Sequence, residues 1–191
     1  MNNMLDIVGS FIIGSLIILM VGNLNLQISA THRDNFYGSI SQVEVVNAAT
    51  VLESDFEKIG YKSTSSNKII LADTSAIQFY SDYDDDQTVE QVKYRIGSTS
   101  ALSGTQNPND RPIYRQIDDG QSMLIGAAKY LKFVYYDSLG NQISYQALTG
   151  QSSRKIVKMI QVNLIYESPF LIDGNYQTTQ WKKTFNPKNL N

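Results

Sequence analysis

The chain has 191 residues, 16 Lys and Arg against 18 Asp and Glu for a net charge of −2, no cysteine, and a single histidine, His32. That length suits one ordinary domain plus an extension, and the near-even charge provides no basic patch for nucleic acid. Without Cys there is neither a disulfide framework nor a thiolate metal site, and one histidine removes most histidine-based metal and catalytic schemes.

The first predicted element is apolar. Ile7–Val21 reads IVGSFIIGSLIILMV and carries no charge. A helix crossing the hydrocarbon core needs about 20 apolar residues, and Met4 and Leu5 before the run and Leu24 and Leu26 after it extend it toward that length. Residues 1–26 are therefore expected to form a transmembrane helix. Asp6 falls near its outer end, where a carboxylate reaches the interface or a partner. Ser10 and Gly14 are four residues apart, flanked by Gly9 and Ser15, and this small-xxx-small spacing lets a second helix approach closely in lipid. The competing reading is a signal peptide cleaved after Ala30; against it, residues 1–6 hold no Lys or Arg, where a signal peptide has a basic start. Arg33 is the only basic residue near either end of the span, so orientation is weakly encoded. A short N-terminal flank kept inside leaves the body exported.

Residues 27–60 are expected to continue as an amphipathic stalk helix. Phe36, Ile40, Val43, Val46 or Asn47, Val51, Phe56 and Ile59 follow in steps near three and four, which predicts one apolar stripe, with Glu44, Glu53, Asp55, Glu57 and Lys58 largely off it. Gly60 is placed to end the helix. The stripe is expected to pack on a sheet; a coiled-coil stalk is the alternative, disfavoured by broken heptad spacing.

From residue 61 to 191 the period changes to two, and the 12 tyrosines and 7 phenylalanines, mostly beyond residue 75, fit a β-rich body. Strands are predicted at Ile69–Ala72, Ala76–Tyr80, Val89–Ile96, Pro112–Ile117, Tyr130–Tyr136, Ile156–Tyr166 and Tyr176–Phe185. Ser98–Arg111 is expected to be a loop, Ser122–Lys129 a short helical turn, and Pro169 the end of the long strand. Ile77, Phe79, Val92, Tyr94, Ile96, Leu131, Phe133, Tyr135, Ile160, Val162, Leu164 and Tyr166 alternate onto the core side. This is the pattern of an antiparallel sheet with one wet face, covered on the other by a helix, hence an α+β fold.

Several stretches, in this order, resemble type IV pilin-like proteins, and most closely the minor pseudopilins of type II secretion and the large minor pilins. Val51–Tyr61 is similar to the family's acidic stalk end closing on Ile-Gly-Tyr. Ile77–Asp86 followed by Val89–Ile96 resembles its acidic hairpin, and Pro112–Gln116 followed by Leu131–Asn141 its next hairpin elements. The sequence departs from the family in showing no basic leader and no Gly-Phe processing site before the apolar run. With Asn2 as first mature residue, Asp6 would be the fifth, where the family carries a carboxylate that pairs with a neighbouring subunit's N-terminal amine. The resemblance implies a pilin-like fold and a structural, non-enzymatic subunit of a pseudopilus or pilus, with Asp6, Ser10 and Gly14 as assembly residues. It implies other pilin-like subunits and the membrane as partners, no cofactor, and a single pass through a bacterial inner membrane with the body periplasmic or extracellular. A membrane-anchored binding module that does not polymerise is the alternative.

Other candidate chemistry is sparse. Asp82, Asp84 and Asp86 have a D-x-D-x-D spacing that suggests Ca²⁺, but an EF-hand would place Gly and Glu where Gln87 and Lys93 stand; a solvated acidic hairpin is the expectation, Ca²⁺ is the alternative, and no metal site is assigned. His32 reads as an interfacial polar residue. Ser122 follows Gly120 and Gln121 with no base in sequence, and no pair of carboxylates stands out for glycoside chemistry. Trp181, Lys182 and Lys183 read as edge-strand packing with protective lysines, contact with a glycan or an anionic surface being the alternative.

Overall fold

A computed structural model describes residues 2–190, with Asn2 through its backbone alone. The chain divides into two compact units, Met1–Ser39 and Ile40–Asn191. Helix α1, Asn2–Glu57, supplies the first unit and opens the second.

In the first unit the helix follows from an apolar run without proline, in which Leu, Ile and Met outweigh the scattered glycines. Ser10, Ser15, Thr31 and Ser39 return their hydroxyls to carbonyls three or four residues back, so their polar groups are satisfied within the helix. Its large apolar side chains are exposed from Met4 to Ile28. Among the described residues α1 is the one helix long and apolar enough to cross a membrane.

The second unit is α+β, with the C-terminal part of α1 packed on antiparallel sheets. Strands β1 (Ile69–Ala72), β2 (Ala76–Ser81), β3 (Glu90–Ile96), β4 (Arg111–Ile117) and β5 (Met123–Ala128) pair in sequence order as one sheet. Strands β6 (Tyr130–Tyr136), β7 (Gln142–Ile143), β8 (Met159–Ile172) and β9 (Asn175–Phe185) form a second, ordered β7-β6-β8-β9. The body is thus two sheets rather than one. They are joined at their margins, where the Phe133 amide donates to the Thr74 carbonyl (2.9 Å) and the Lys129 amide to the Ile165 carbonyl (2.8 Å). A short helix, α2 (Gln151–Arg154), precedes β8.

One core serves the helix and both sheets. Phe56 lies at its centre, with ring centroids 5.5 Å from Phe79, 5.6 Å from Tyr94, 5.8 Å from Phe133 and 5.2 Å from Phe185, two rings from each sheet. The alternation predicted for β2, β3, β6 and β8 is observed: Ile77, Phe79, Val92, Tyr94, Leu131, Phe133, Tyr135, Ile160, Val162, Leu164 and Tyr166 are all buried. Gly126 permits the close approach of β5 to β8, because a Cβ there would stand 2.5 Å from the Tyr166 hydroxyl.

Three expectations are corrected. First, the buried face of the helix runs through Ser41, Val45, Ala48, Ala49, Leu52, Asp55 and Phe56, while Phe36, Val43 and Val46 are exposed. The step of three and four holds, but the stripe is rotated, since Val43 lies about 200° around the helix from Val45. Alanines let the backbone sit close to the strands, and a charge at Asp55 is accepted because the sheet provides its partner. Second, Met123–Ala128 is strand β5, not a helical turn. Its Met, Leu and Ala favour helix locally, and pairing with β4 overrides that preference. Third, Pro169 does not end β8. The ladder with β9 shifts register between Glu167 and Leu171, and Ser168 Oγ takes up the interruption by accepting the Gln177 amide (3.0 Å) and donating to the Phe170 carbonyl (2.7 Å). At the helix end, α1 stops at Glu57 and Gly60 follows with φ of 76°, its amide donating 2.7 Å to the Tyr80 carbonyl.

Candidate functional site

The predicted assembly residues lie one helical turn apart on one side of α1. Asp6 and Ser10 are exposed and Gly14 is half-buried. Ser10 Oγ donates 2.8 Å to the Asp6 carbonyl, so this serine offers small size rather than a free hydroxyl. A Cβ built on Gly9 or Gly14 meets nothing within 4 Å, so both positions face open space. The processing register that would make Asp6 a fifth residue turns on Met1, which lies outside the described residues. His32 and Ser122 are exposed. Arg33 pairs with Asp34 at 3.5 Å.

Where α1 meets the first sheet, sequence reasoning missed a buried ion pair. Arg115 on β4 donates from Nε to Asp55 Oδ2 (2.6 Å) and from a terminal nitrogen to Oδ1 (3.1 Å). The Tyr94 hydroxyl on β3 donates to the same Oδ2 at 2.5 Å. The guanidinium also stacks 4.7 Å from the Tyr83 ring centroid. Burial and the neighbouring Asp55 charge push the Tyr94 hydroxyl well above its ordinary pKa. Burial works against the Arg115 charge, but the bonds to Asp55 outweigh it and raise its pKa. Both carboxylate oxygens of Asp55 are bonded, which makes the group a clamp between helix and sheet. Period-two reading of β4 fixes Arg115 on the same side as Ile113, a signal that could have located it.

A second group lies in the turn between β2 and β3. One carboxylate oxygen from each of Asp82, Asp84 and Asp86 lies within 4.8 Å of the others. Asp82 is fully buried while Asp84 and Asp86 are exposed. Asp82 Oδ2 accepts from Lys62 Nζ (2.9 Å) and the Gln87 amide (3.0 Å). Burial raises the Asp82 pKa, but Lys62 and the Gln87 amide prevail and hold it below the ordinary carboxylate value. Lys62 also bonds Asp85 Oδ1 at 2.5 Å, drawing that carboxylate down in pKa and itself raised by the bond. Glu90, at the start of β3, is buried, and burial together with the charges on Asp84 and Asp86 raises its pKa. The expected solvated hairpin is thus partly buried.

On β9, Trp181 packs against the core and Lys183 reaches α1, 3.2 Å from Glu53 and 3.4 Å from Glu57. A cleft of about 510 Å³ beside them is lined by Glu57, Tyr61, Lys183, Thr184, Phe185 and Pro187.

A long apolar N-terminal helix whose later part packs on antiparallel sheets is compatible with a pilin-like fold. No family model, curated protein or solved structure matches the chain.

Proposed function

We propose that the chain is a structural subunit of a pilin-like assembly, either a type II secretion pseudopilus or the minor part of a type IV pilus, held and packed through its N-terminal helix. The observation that carries this reading is the exposure of the apolar side chains of α1 from Met4 to Ile28, including Phe11 at 77 % and Ile18 at 74 %. A surface of this size has to be covered by lipid, by other helices, or by both. The small residues Gly9, Ser10 and Gly14 support helices among the neighbours, because close backbone approach is the main source of packing where lipid supplies no hydrophobic drive. Exposed Val43 and Val46 extend apolar surface onto the part of α1 that opens the second unit. In this reading the helix crosses a bacterial inner membrane, the body lies on the exported side, and Asp6 meets a neighbour's amine, since a carboxylate in an apolar bundle needs a partner or a proton.

The test is the native mass of the protein extracted from its own membranes in mild detergent. The assembly reading expects a complex larger than one chain that dissociates in Gly14→Leu, which puts a large side chain where a second helix would approach, and weakens in Asp6→Ala. A single chain in the native extract, or a complex indifferent to both substitutions, would instead support a membrane-anchored binding module that does not polymerise.

A further inference from the structure

Positive and negative residues are segregated along this chain. Residues 58–72, 138–166 and 174–191 contain no Asp or Glu, yet they hold nine of the 16 Lys and Arg, three in each stretch. The fold ties these stretches together. Arg154 Nε donates to the Ile69 carbonyl (3.0 Å), Lys158 Nζ to the Leu190 carbonyl, and Asn189 Nδ2 to the Ile59 carbonyl (3.5 Å). Where they meet, a cleft of about 220 Å³ is lined by Lys68, Arg154, Lys155 and Lys158, with no carboxylate in its wall. Three of these cations are fixed in place without being neutralised. Lys68 Nζ donates to the Ser63 carbonyl, Lys158 to Leu190, and one terminal nitrogen of Arg154 to the carbonyls of Leu148 (3.1 Å) and Thr149 (2.8 Å). All three are half-buried, and Lys155 is exposed at the rim. Among the described residues none of the four has a carboxylate partner, whereas Arg33, Lys62, Arg115, Lys129 and Lys183 each have one.

We infer that this cleft binds a phosphate group, free or esterified to a small molecule, through Lys68, Arg154, Lys155 and Lys158. Four like charges around one small cleft repel one another, and their partial removal from water strengthens the repulsion. A multiply charged anion relieves it. The donors favour phosphate over a carboxylate. Arg154 spends Nε and one terminal nitrogen on backbone carbonyls, so each edge of its fork has lost a prong and the two-pronged grip on a carboxylate is gone. The three lysines act as point charges, the manner in which lysine holds phosphate. Each ammonium has three donors, and the carbonyls of Ser63 and Leu190 take one each from Lys68 and Lys158, which leaves two on each for a ligand. The same carbonyls hold the two long side chains still, so less freedom is lost when an anion arrives. The inference stands apart from the assembly role, since all the residues it uses belong to the second unit.

The experiment titrates inorganic phosphate into the full-length protein in detergent at about pH 8, where phosphate is largely dianionic. Ionic strength is held constant, binding is read by calorimetry and by thermal unfolding, and acetate and glycerol phosphate are titrated in parallel. One saturable phosphate site is expected, with phosphate raising Tm by linkage and acetate, with its single charge, binding more weakly. Lys155→Glu changes an exposed side chain. It is expected to weaken phosphate binding by about tenfold or more through reversed charge, while Tm in phosphate-free buffer stays the same. Lys132→Glu makes the same charge change at an exposed position on β6 outside the cleft and is expected to leave the affinity unchanged. Glycerol phosphate binding as tightly as inorganic phosphate supports the site with an ester as its ligand, and tighter binding of inorganic phosphate supports it with the free ion. Absence of saturable phosphate binding, equal binding of acetate, or equal effects of Lys155→Glu and Lys132→Glu overturns the assignment.

Discussion

The first part of α1 is the richer in apolar side chain, and the two parts use theirs differently. From Met4 to Ile28 leucines, isoleucines, methionines and phenylalanine are exposed around the whole circumference. From Ser41 onward one face is buried to 5 % or less at Ser41, Val45, Ala48, Ala49, Leu52, Asp55 and Phe56, and valines on other faces stay out. The apolar face is therefore chosen by the sheets in the second stretch and left exposed in the first. Residue type alone does not separate the cases: the second stretch buries an aspartate and exposes two valines.

The comparison is tested most strongly at its aromatic positions. Phe56→Ala empties the centre of the core, where the ring touches both sheets, and is expected to cost about 3–5 kcal/mol in unfolding free energy. Phe11→Ala removes a ring of the same size that is 77 % exposed and is expected to leave the unfolding transition of the body in place. Thermal and denaturant unfolding of the full-length protein in detergent, read by near-UV circular dichroism, checks both. Equal losses at the two positions would mean that the first stretch also folds against the body.

The acids give the next contrast. Asp55→Asn leaves the buried Arg115 charge without its counter-ion, and roughly 3 kcal/mol of stability should be lost, at the lower end of what breaking a buried pair costs. Asp6→Asn leaves an exposed position in the first stretch and should not move the same transition. Restoring stability by replacing Asp55 and Arg115 together with apolar residues of similar volume would show that the pair serves placement of the helix more than its binding energy.

Much of the body was legible because period-two alternation survives wherever one face is dry: β2, β3, β6 and β8 buried the residues that their spacing indicates. The failures share a cause, which is that burial is decided between elements. Ser122–Lys129 has helix-forming residues, yet β4 leaves an edge that these residues complete. Pro169 signals a strand end, yet Ser168 replaces the hydrogen bonds that proline interrupts. Asp55 reads as a surface charge until Arg115, 60 residues away, is placed opposite it. The acidic turn was legible as a spacing, while its partial burial was not, since nothing in D-x-D-x-D indicates that Asp82 points inward. The surface proposed for assembly was legible as a run of apolar and small residues, and the fold adds to this only that the run is exposed.

The smallest expected effect falls at the outer edge of the helix contact. Lys183 on β9 stands between Glu53 and Glu57, with roughly a third to two-thirds of each of the three side chains exposed. Pairs of this kind lose most of their Coulomb energy to water and salt, and ordering three long side chains opposes what is left. Lys183→Ala should therefore shift Tm little at low ionic strength and not measurably in 0.5 M NaCl. Its removal still tests something that Phe56 does not. If α1 is held to β9 by its buried face alone, the variant keeps the near-UV signal of Trp181, which packs beside Phe185 at 6.3 Å. If the two glutamates steer the helix end onto the sheet, that signal changes although stability does not, and the helix is then positioned by its charged rim as well as by Leu52 and Phe56.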